Sequence, residues 1–121
     1  MTRIFYADNP HPSQDKEWGD FNWEIGYKDK NTQEPVTITK AFFRKYYKML
    51  PKDEKETNLE KIFAKYNQYS TNPYSADNDP NQSMIRSLGI SHTSMSVMDI
   101  VKKGSTYWIV APRGFRKVII K

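Results

Sequence analysis

The chain has 121 residues and no cysteine. A domain of this length can bury a sizeable core, and the absence of cysteine excludes disulfides, thiolate nucleophiles and cysteine zinc ligands. The sequence has no apolar run of about 18 residues and no secretion-type apolar segment at its N-terminus, so we expect a single cytoplasmic domain that does not enter a membrane.

Positive charge is concentrated in the rear two-thirds of the chain. Residues 1–34 hold four basic and seven acidic side chains, whereas residues 35–121 hold fifteen basic and seven acidic ones. A field of this kind favours an anionic partner, either nucleic acid or an acidic face of a protein. A basic surface that is merely solvated and has no partner is an equally open interpretation.

The first half of the chain predicts two strands and a helix. The composition of residues 2–7 is rich in β-formers, and residues 18–27 alternate large apolar with polar side chains, which predicts a second strand. A short extended segment over residues 35–38 leads to Thr39, which predicts the N-cap of a helix over residues 40–50. Side chains four residues apart form a basic stripe on this helix: Lys40, Arg44 and Lys48.

The second half predicts one further helix and then β-structure. A capping box at residues 57–60 predicts a helix over residues 58–68, and the polar segment 69–82 predicts a long loop. Three strands then follow, over residues 96–101, 106–111 and 115–121. We therefore expect an α+β fold in which two helices pack on a small antiparallel sheet, with a C-terminal three-stranded β-meander.

The part of the chain from residue 57 to residue 121 resembles the YodL-like domain found in proteins of phages, plasmids and conjugative elements. The matching segments are Tyr66-Asn67, Ser94-Met95-Ser96-Val97-Met98-Asp99 and Gly114-Phe115. The resemblance implies an accessory protein of a mobile element that works in a bacterial host, counters host defence and has no enzymatic activity. Met98 stands where the family usually has glycine, so a positive φ at this position would strain the methionine.

We expect a non-enzymatic binding protein, and first an inhibitor of a host defence nucleoprotein such as a CRISPR effector. The basic side chains that would make the contacts are Lys40, Arg44, Lys48, Arg113, Arg116 and Lys117. The alternative is a nonspecific nucleic-acid-binding module, because aromatic residues that can stack on bases are interleaved with these cations: Tyr46, Tyr47, Tyr107 and Trp108. The same aromatic residues could instead belong to the core.

The two histidines allow two further hypotheses. His92 precedes Thr93, Ser94 and Ser96, so a small hydrolase is one alternative. The structural interpretation is a turn in which the side chains of Ser94, Ser96 and Asp99 hydrogen-bond to the backbone. The sequence requires no cofactor. A single zinc ion held by His11 and His92, with help from a carboxylate, is the metal site that these residues could form.

Overall fold

The computed structural model describes residues 2–8, 14–68, 70–75, 86–90 and 92–121. Within these residues a helix lies between each of the first four strands, and the last two strands follow without a helix. In order they are β1 (Thr2–Ala7), α1 (Lys16–Trp23) with a π-helical turn (Glu24–Lys28) directly after it, β2 (Val36–Ile38), α2 (Lys40–Tyr46), β3 (Tyr47–Met49), α3 (Leu59–Asn67), β4 (Ile100–Lys103), β5 (Thr106–Ala111) and β6 (Gly114–Ile120).

The six strands form one mixed sheet in the order β2-β6-β5-β4-β1-β3. The pair β2 and β6 is parallel, and the other neighbouring pairs are antiparallel. The seven-residue helix α2 connects the two edge strands. Such a helix is about 10 Å long, whereas five strand spacings of a flat sheet would measure about 24 Å. The sheet is therefore curled, which brings its two edges towards each other.

Helices cover both faces of the sheet, as the burial of consecutive residues in its central strands shows. Ile100 and Val101 in β4 are both completely buried although their side chains point to opposite faces. One face packs on α1 and α2 through a cluster that includes Trp18 and Phe42. The opposite face packs on α3 through a cluster that includes Ile62. These are called the α1/α2 face and the α3 face below.

The predicted arrangement of two helices on a small antiparallel sheet with a C-terminal three-stranded meander is wrong. The described residues form three helices and a six-stranded mixed sheet. Strands β4, β5 and β6 are consecutive in this sheet, but β1 pairs with β4 on one side and β2 pairs with β6 on the other. The physical reason is that the central strands are apolar on both faces, so helices must lie on both sides of the sheet.

Residues 18–27, predicted as a strand, form α1 and the π-helical turn. The Asp15 carboxylate caps α1 by accepting a hydrogen bond from the Trp18 amide at 3.1 Å. Trp18 and Ile25 are buried, whereas Trp23 is 55% exposed and Tyr27 is 63% exposed. The alternation of large apolar residues therefore does not reflect burial, and the strand prediction failed because two of the aromatic side chains face solvent.

Both predicted helices are present, but their ends differ from the predicted ones. Thr39 caps α2 as predicted, since its hydroxyl accepts the Phe42 amide at 3.0 Å. The helix ends at Tyr46 rather than at residue 50, because the chain then pairs with β1 as the edge strand β3. The helix predicted over residues 58–68 is confirmed as α3, but its cap is Asn58, one residue after the predicted Thr57.

Part of the predicted long loop is packed against the α3 face. Residue 69 and residues 76–82 lie outside the described residues, whereas residues 70–75 are described. Tyr74 is completely buried, and the side-chain amide of Asn72 donates to the carbonyls of Tyr66 and Thr93, at 2.8 Å in both cases. In the ranges that the structure describes, every helix is too short or too polar to cross a membrane.

Candidate functional site

The six basic residues predicted to bind a partner do not form one surface. Lys40 and Arg44 are exposed on α2, and Arg113 is exposed in the turn between β5 and β6. Lys117 is exposed on the α3 face, on the side of the sheet opposite to α2, because its neighbour Val118 belongs to the α1/α2 core. The basic stripe predicted along one helix is broken, since α2 ends before Lys48.

The two remaining basic residues have structural contacts. Lys48 lies on β3, where its ammonium is 3.3 Å from the Asp8 carboxylate and donates to the Leu88 carbonyl at 2.6 Å. Arg116 is only 3% exposed, and its Nε donates to the Glu34 carbonyl at 2.8 Å. A macromolecular partner that approaches from solvent therefore cannot use Arg116.

Lys117 shares a face of the sheet with an aromatic residue and a second lysine. It is the cross-strand partner of Trp108, which is partly exposed on β5. The partner of Lys103 on β4 is Thr106, two residues before Trp108 on the same strand. Because side chains alternate across a sheet, these four side chains lie on the same face. Together with Ile119, two residues beyond Lys117, they form what we call the basic platform: Lys103, Thr106, Trp108, Lys117 and Ile119.

The platform is the part of the α3 face that the helix does not cover. Lys103 and Lys117 are exposed, and Ile119 is 37% exposed, which is unusual for an isoleucine in a strand. A shallow cavity of about 360 Å³ lies at this end of β5 and β6, and it is lined by Thr106, Lys117 and Ile119 together with residues of the opposite face such as Tyr107 and Val118. The platform therefore combines an apolar floor, a partly exposed indole and two cations.

The two lysines of the platform are free of acidic neighbours. Neither Lys103 nor Lys117 makes an ion pair with any other described residue. Glu54 forms an isolated bridge with Thr2, the β1 partner of Lys103, but its carboxylate is turned inwards and only 5% of the residue is exposed. Burial raises the pKa of Glu54, but hydrogen bonds, of which the one from Lys65 at 2.8 Å is the largest, lower it below its usual value. The charge of Glu54 is thus neutralised inside the protein.

The other three aromatic residues considered for base stacking pack in the α1/α2 core. Tyr46 and Tyr47 are buried, and the ring of Tyr107 packs edge-on against Phe43 with a centroid separation of 5.5 Å. For these three residues the core interpretation is correct. Trp108 differs because it lies on the α3 face, beyond the part that α3 covers.

The Ser94–Asp99 segment forms a turn before β4 that is held by a buried carboxylate. Asp99 is 1% exposed, and its two oxygens accept the Ala7 amide at 2.8 Å and the Ser96 amide at 2.9 Å. Met95 is buried in the α3 cluster, whereas Ser94 and Val97 are exposed. This is the turn that the structural interpretation of the motif predicts, and it ties β1 to the start of β4.

Met98 in this turn has a φ of 90°, a backbone conformation that favours glycine. Its amide donates to the Val110 carbonyl at 2.9 Å, and its own carbonyl accepts the Tyr47 hydroxyl at 2.7 Å. The side chain is 5% exposed and packs in the α1/α2 core. The strain expected of a methionine with positive φ is therefore present, and surrounding contacts hold the residue in place.

His92 lies against the buried carboxylate rather than against a serine. Its ring stacks on Tyr6 with a centroid separation of 4.7 Å, and its Nε2 lies 3.5 Å from Asp99 Oδ2, without the alignment of a hydrogen bond. The interaction with Asp99 raises the pKa of His92, against the effect of burial, which favours the charged form of the imidazole. Among the described residues no serine hydroxyl is hydrogen-bonded to His92, so the hydrolase hypothesis has no nucleophile paired with a base.

A zinc site built on His11 and His92 remains a prediction. His11 lies outside the described residues. Within the described part of the chain, no group of three or more His, Asp or Glu side chains is arranged to hold a metal ion.

Comparisons with known proteins found one similar viral protein and no matching family or structure. No protein-family model matches the chain, and no solved structure does. Over 70 residues the chain is 43% identical to "Uncharacterized protein R785" of Acanthamoeba polyphaga mimivirus, an alignment that covers 54% of this chain and 61% of that protein. The chain thus spans less than two thirds of the length of this viral relative. The resemblance to the YodL-like domain stays a prediction.

The basic platform was missed at the level of sequence, although two tight turns contain the signal. The two-residue turn Gly104-Ser105 places Lys103 opposite Thr106. The turn at residues 112–113 places Trp108 opposite Lys117. Counting residues outward from both turns would have put Lys103, Trp108 and Lys117 on one face of the sheet.

Proposed function

We propose that this protein binds single-stranded nucleic acid through the basic platform, without reading its sequence. The observation that carries the proposal is that Trp108 lies partly exposed between two strands that present unpaired cations, Lys103 on β4 and Lys117 on β6. An indole offers a base a stacking surface, and lysines beside it attract the phosphates.

The geometry favours a single strand over a duplex. Strands β4 and β6 are two strand spacings apart, about 10 Å, with β5 and Trp108 between them. A single strand that crosses the sheet can place phosphates near both lysines and one unstacked base on the indole. Bases in a duplex are stacked on each other and cannot reach a side chain that lies in a sheet face. The apolar surface of Ile119 extends the floor on which a second base would rest.

The test is fluorescence anisotropy with labelled oligothymidylate and oligouridylate over a range of salt concentrations. We expect binding that weakens steeply with salt, because counterions are released from the phosphates. The double variant Lys103→Gln/Lys117→Gln removes two phosphate contacts, so the slope of log K against log salt should fall by about 1.4, at about 0.7 per contact. The matched control is Lys40→Gln/Arg44→Gln, which removes the same charge from α2 and should leave the slope unchanged.

The contribution of stacking is tested at Trp108. Trp108→Ala should weaken binding by about 1–3 kcal/mol, whereas Trp108→Phe keeps an aromatic ring and should retain most of the affinity. Equal losses in the platform and control variants would contradict the proposal. Little binding of the wild-type protein to plain oligonucleotides would also contradict it and would favour the inhibitor hypothesis, in which the cations contact an acidic face of a host defence protein.

A further inference from the structure

A small polar cavity lies beneath the π-helical turn, on the α1/α2 side of the sheet and away from the basic platform. Its volume is about 120 Å³, which is the volume that about four water molecules occupy in the liquid. The residues that line it are charged or hydroxylated: Glu24, Lys28, Asp29, Thr32, Glu34 and Arg116. Such a lining distinguishes it from the cleft between α3 and the start of β6, which is lined mainly by apolar residues such as Phe63, Val110 and Phe115.

The cavity contains a buried cation whose hydrogen bonds are incomplete. Arg116 is 3% exposed, and its Nε donates to the Glu34 carbonyl. Its Nη1 is buried and has no hydrogen-bond partner among the described residues, and none of them forms an ion pair with this guanidinium. A buried charged group with an unpaired hydrogen-bond donor destabilises the folded protein. An anionic group of a ligand would accept the hydrogen bond that Nη1 leaves free.

The other groups of the cavity call for a positive charge on the same ligand. Lys28 is occupied by Glu24, whose carboxylate lies 3.3 Å from its ammonium. Asp29 and Glu34 also line the cavity. Neither makes an ion pair with a described residue, and the Asp29 carboxylate accepts the Asn31 backbone amide at 3.0 Å. A simple anion would meet these two carboxylates, whereas a simple cation would leave the guanidinium unpaired. A ligand that carries both charges satisfies both requirements.

The backbone around the cavity supports a binding role independently. A single π-helical turn is rare and is frequently found at functional sites. Here the first and last residues of the turn, Glu24 and Lys28, line the cavity, while Ile25 between them is buried in the core. The turn therefore anchors the cavity wall to the core and directs its charged ends towards the same space.

We propose that this cavity binds a small zwitterion of the amino-acid class, with its carboxylate on the Arg116 guanidinium and its ammonium group on the side of Asp29 and Glu34. A guanidinium can hold a carboxylate through two parallel hydrogen bonds, which fixes the orientation of the ligand. The size of the cavity limits the ligand to the smaller amino acids. This site is independent of nucleic-acid binding at the basic platform.

The test is NMR titration of the isotope-labelled protein with glycine, alanine and serine, and separately with acetate and methylammonium. We expect the zwitterions to shift the amide signals of residues 24–34 and the Nε–Hε signal of Arg116, at lower concentrations than either single-charge probe. Asp29→Asn, at the exposed rim, should weaken binding about tenfold or more through loss of a charge-assisted hydrogen bond. Arg113→Gln, which removes an exposed arginine from outside the cavity lining, is the matched control and should bind normally.

Three results would overturn the proposal. The first is an absence of shifts with any zwitterion at concentrations up to tens of millimolar (about −2 to −3 kcal/mol in binding free energy). The second is that acetate binds as tightly as glycine, which would make this a simple anion site. The third is that Asp29→Asn binds as tightly as wild type. Arg116→Lys provides a further check because it keeps the charge but loses the fork, and it should weaken binding while the protein stays folded.

Discussion

The strained backbone at Met98 makes a prediction whose sign is the reverse of the usual one. The residue has a φ of 90° and is held there by hydrogen bonds on both its amide and its carbonyl. We compare two substitutions at this position, Met98→Gly and Met98→Ala. In an ordinary helix or strand, glycine is less stable than alanine by about 0.5–1 kcal/mol. At position 98 we expect glycine to be the more stable of the two.

The difference in the free energy of unfolding between the two variants follows from one contribution that they share and two that they do not. Both lose the buried methionine side chain, which is 5% exposed, so each should be about 2–5 kcal/mol less stable than wild type. Alanine keeps the left-handed backbone penalty of about 1–2 kcal/mol, whereas glycine escapes it. Glycine loses about 0.5–1 kcal/mol because its unfolded chain is more flexible. The difference favours Met98→Gly by about 0.5–1 kcal/mol.

Urea unfolding followed by tryptophan fluorescence measures this difference directly, since the chain has three tryptophans. Ala64→Gly provides the control, because Ala64 is exposed within α3 and should show the ordinary loss of about 1 kcal/mol. The reasoning fails if Met98→Ala is as stable as Met98→Gly, or more so, while Ala64→Gly behaves normally. In that case the backbone at this turn would not be left-handed in solution.

Three further predictions concern stability. Asp99→Ala removes the acceptor of two backbone amides, each costing about 1–3 kcal/mol when left unsatisfied, so the free energy of unfolding should fall by about 2–6 kcal/mol, and a loss below about 1 kcal/mol would mean that the carboxylate does not hold the turn. Asp99 raises the pKa of His92 above the unfolded value of 6.5, so the stabilisation is present below pH 6.5 and is lost as the pH rises through the folded-state pKa. The urea midpoint should therefore fall between pH ~6 and pH ~9. In His92→Phe, which keeps the stack on Tyr6, this fall should be absent. Asn58→Ala should cost about 1 kcal/mol and Thr57→Ala less than about 0.5 kcal/mol in thermal unfolding, and the opposite ranking would restore Thr57 as the cap of α3.

The local signals that the sequence carries strongly were interpreted correctly. The spacing of Leu59, Ile62, Phe63 and Tyr66 predicts one helical face, and α3 has it. A hydroxyl at Thr39 before an apolar-periodic run predicts a cap, and the hydroxyl accepts the expected amide. Period and capping depend on neighbours within four residues, so these two helices could be predicted from the sequence, although the cap of α3 is Asn58 rather than the predicted Thr57.

The signals that failed depend on residues far apart in the chain. Nothing near Tyr46 indicates that the helix must stop there; it stops because β1, some forty residues earlier, offers an edge to Tyr47–Met49. Residues 18–27 satisfy the period of a strand, but the Asp15 cap and the burial of Trp18 and Ile25 against distant parts of the core decide for a helix. Tertiary contacts override local pattern at both places.

The uneven cover of the sheet explains why the basic platform lies where it does. A helix with its side chains is about 10–12 Å wide, so the single nine-residue helix α3 covers about two strands of a six-stranded sheet. The α3 helix and residues 70–75 pack over β1, the adjoining parts of β4 and β5 and the start of β6, where Phe63 packs against Phe115. This leaves the far ends of β5 and β6 uncovered on this face. An uncovered sheet face with only apolar side chains would invite aggregation, and Lys103 and Lys117 prevent this. In the function that we propose, the same two lysines, with Trp108 on the strand between them, attract the phosphates of a polyanion, so one set of residues would both interrupt the apolar surface and bind the ligand.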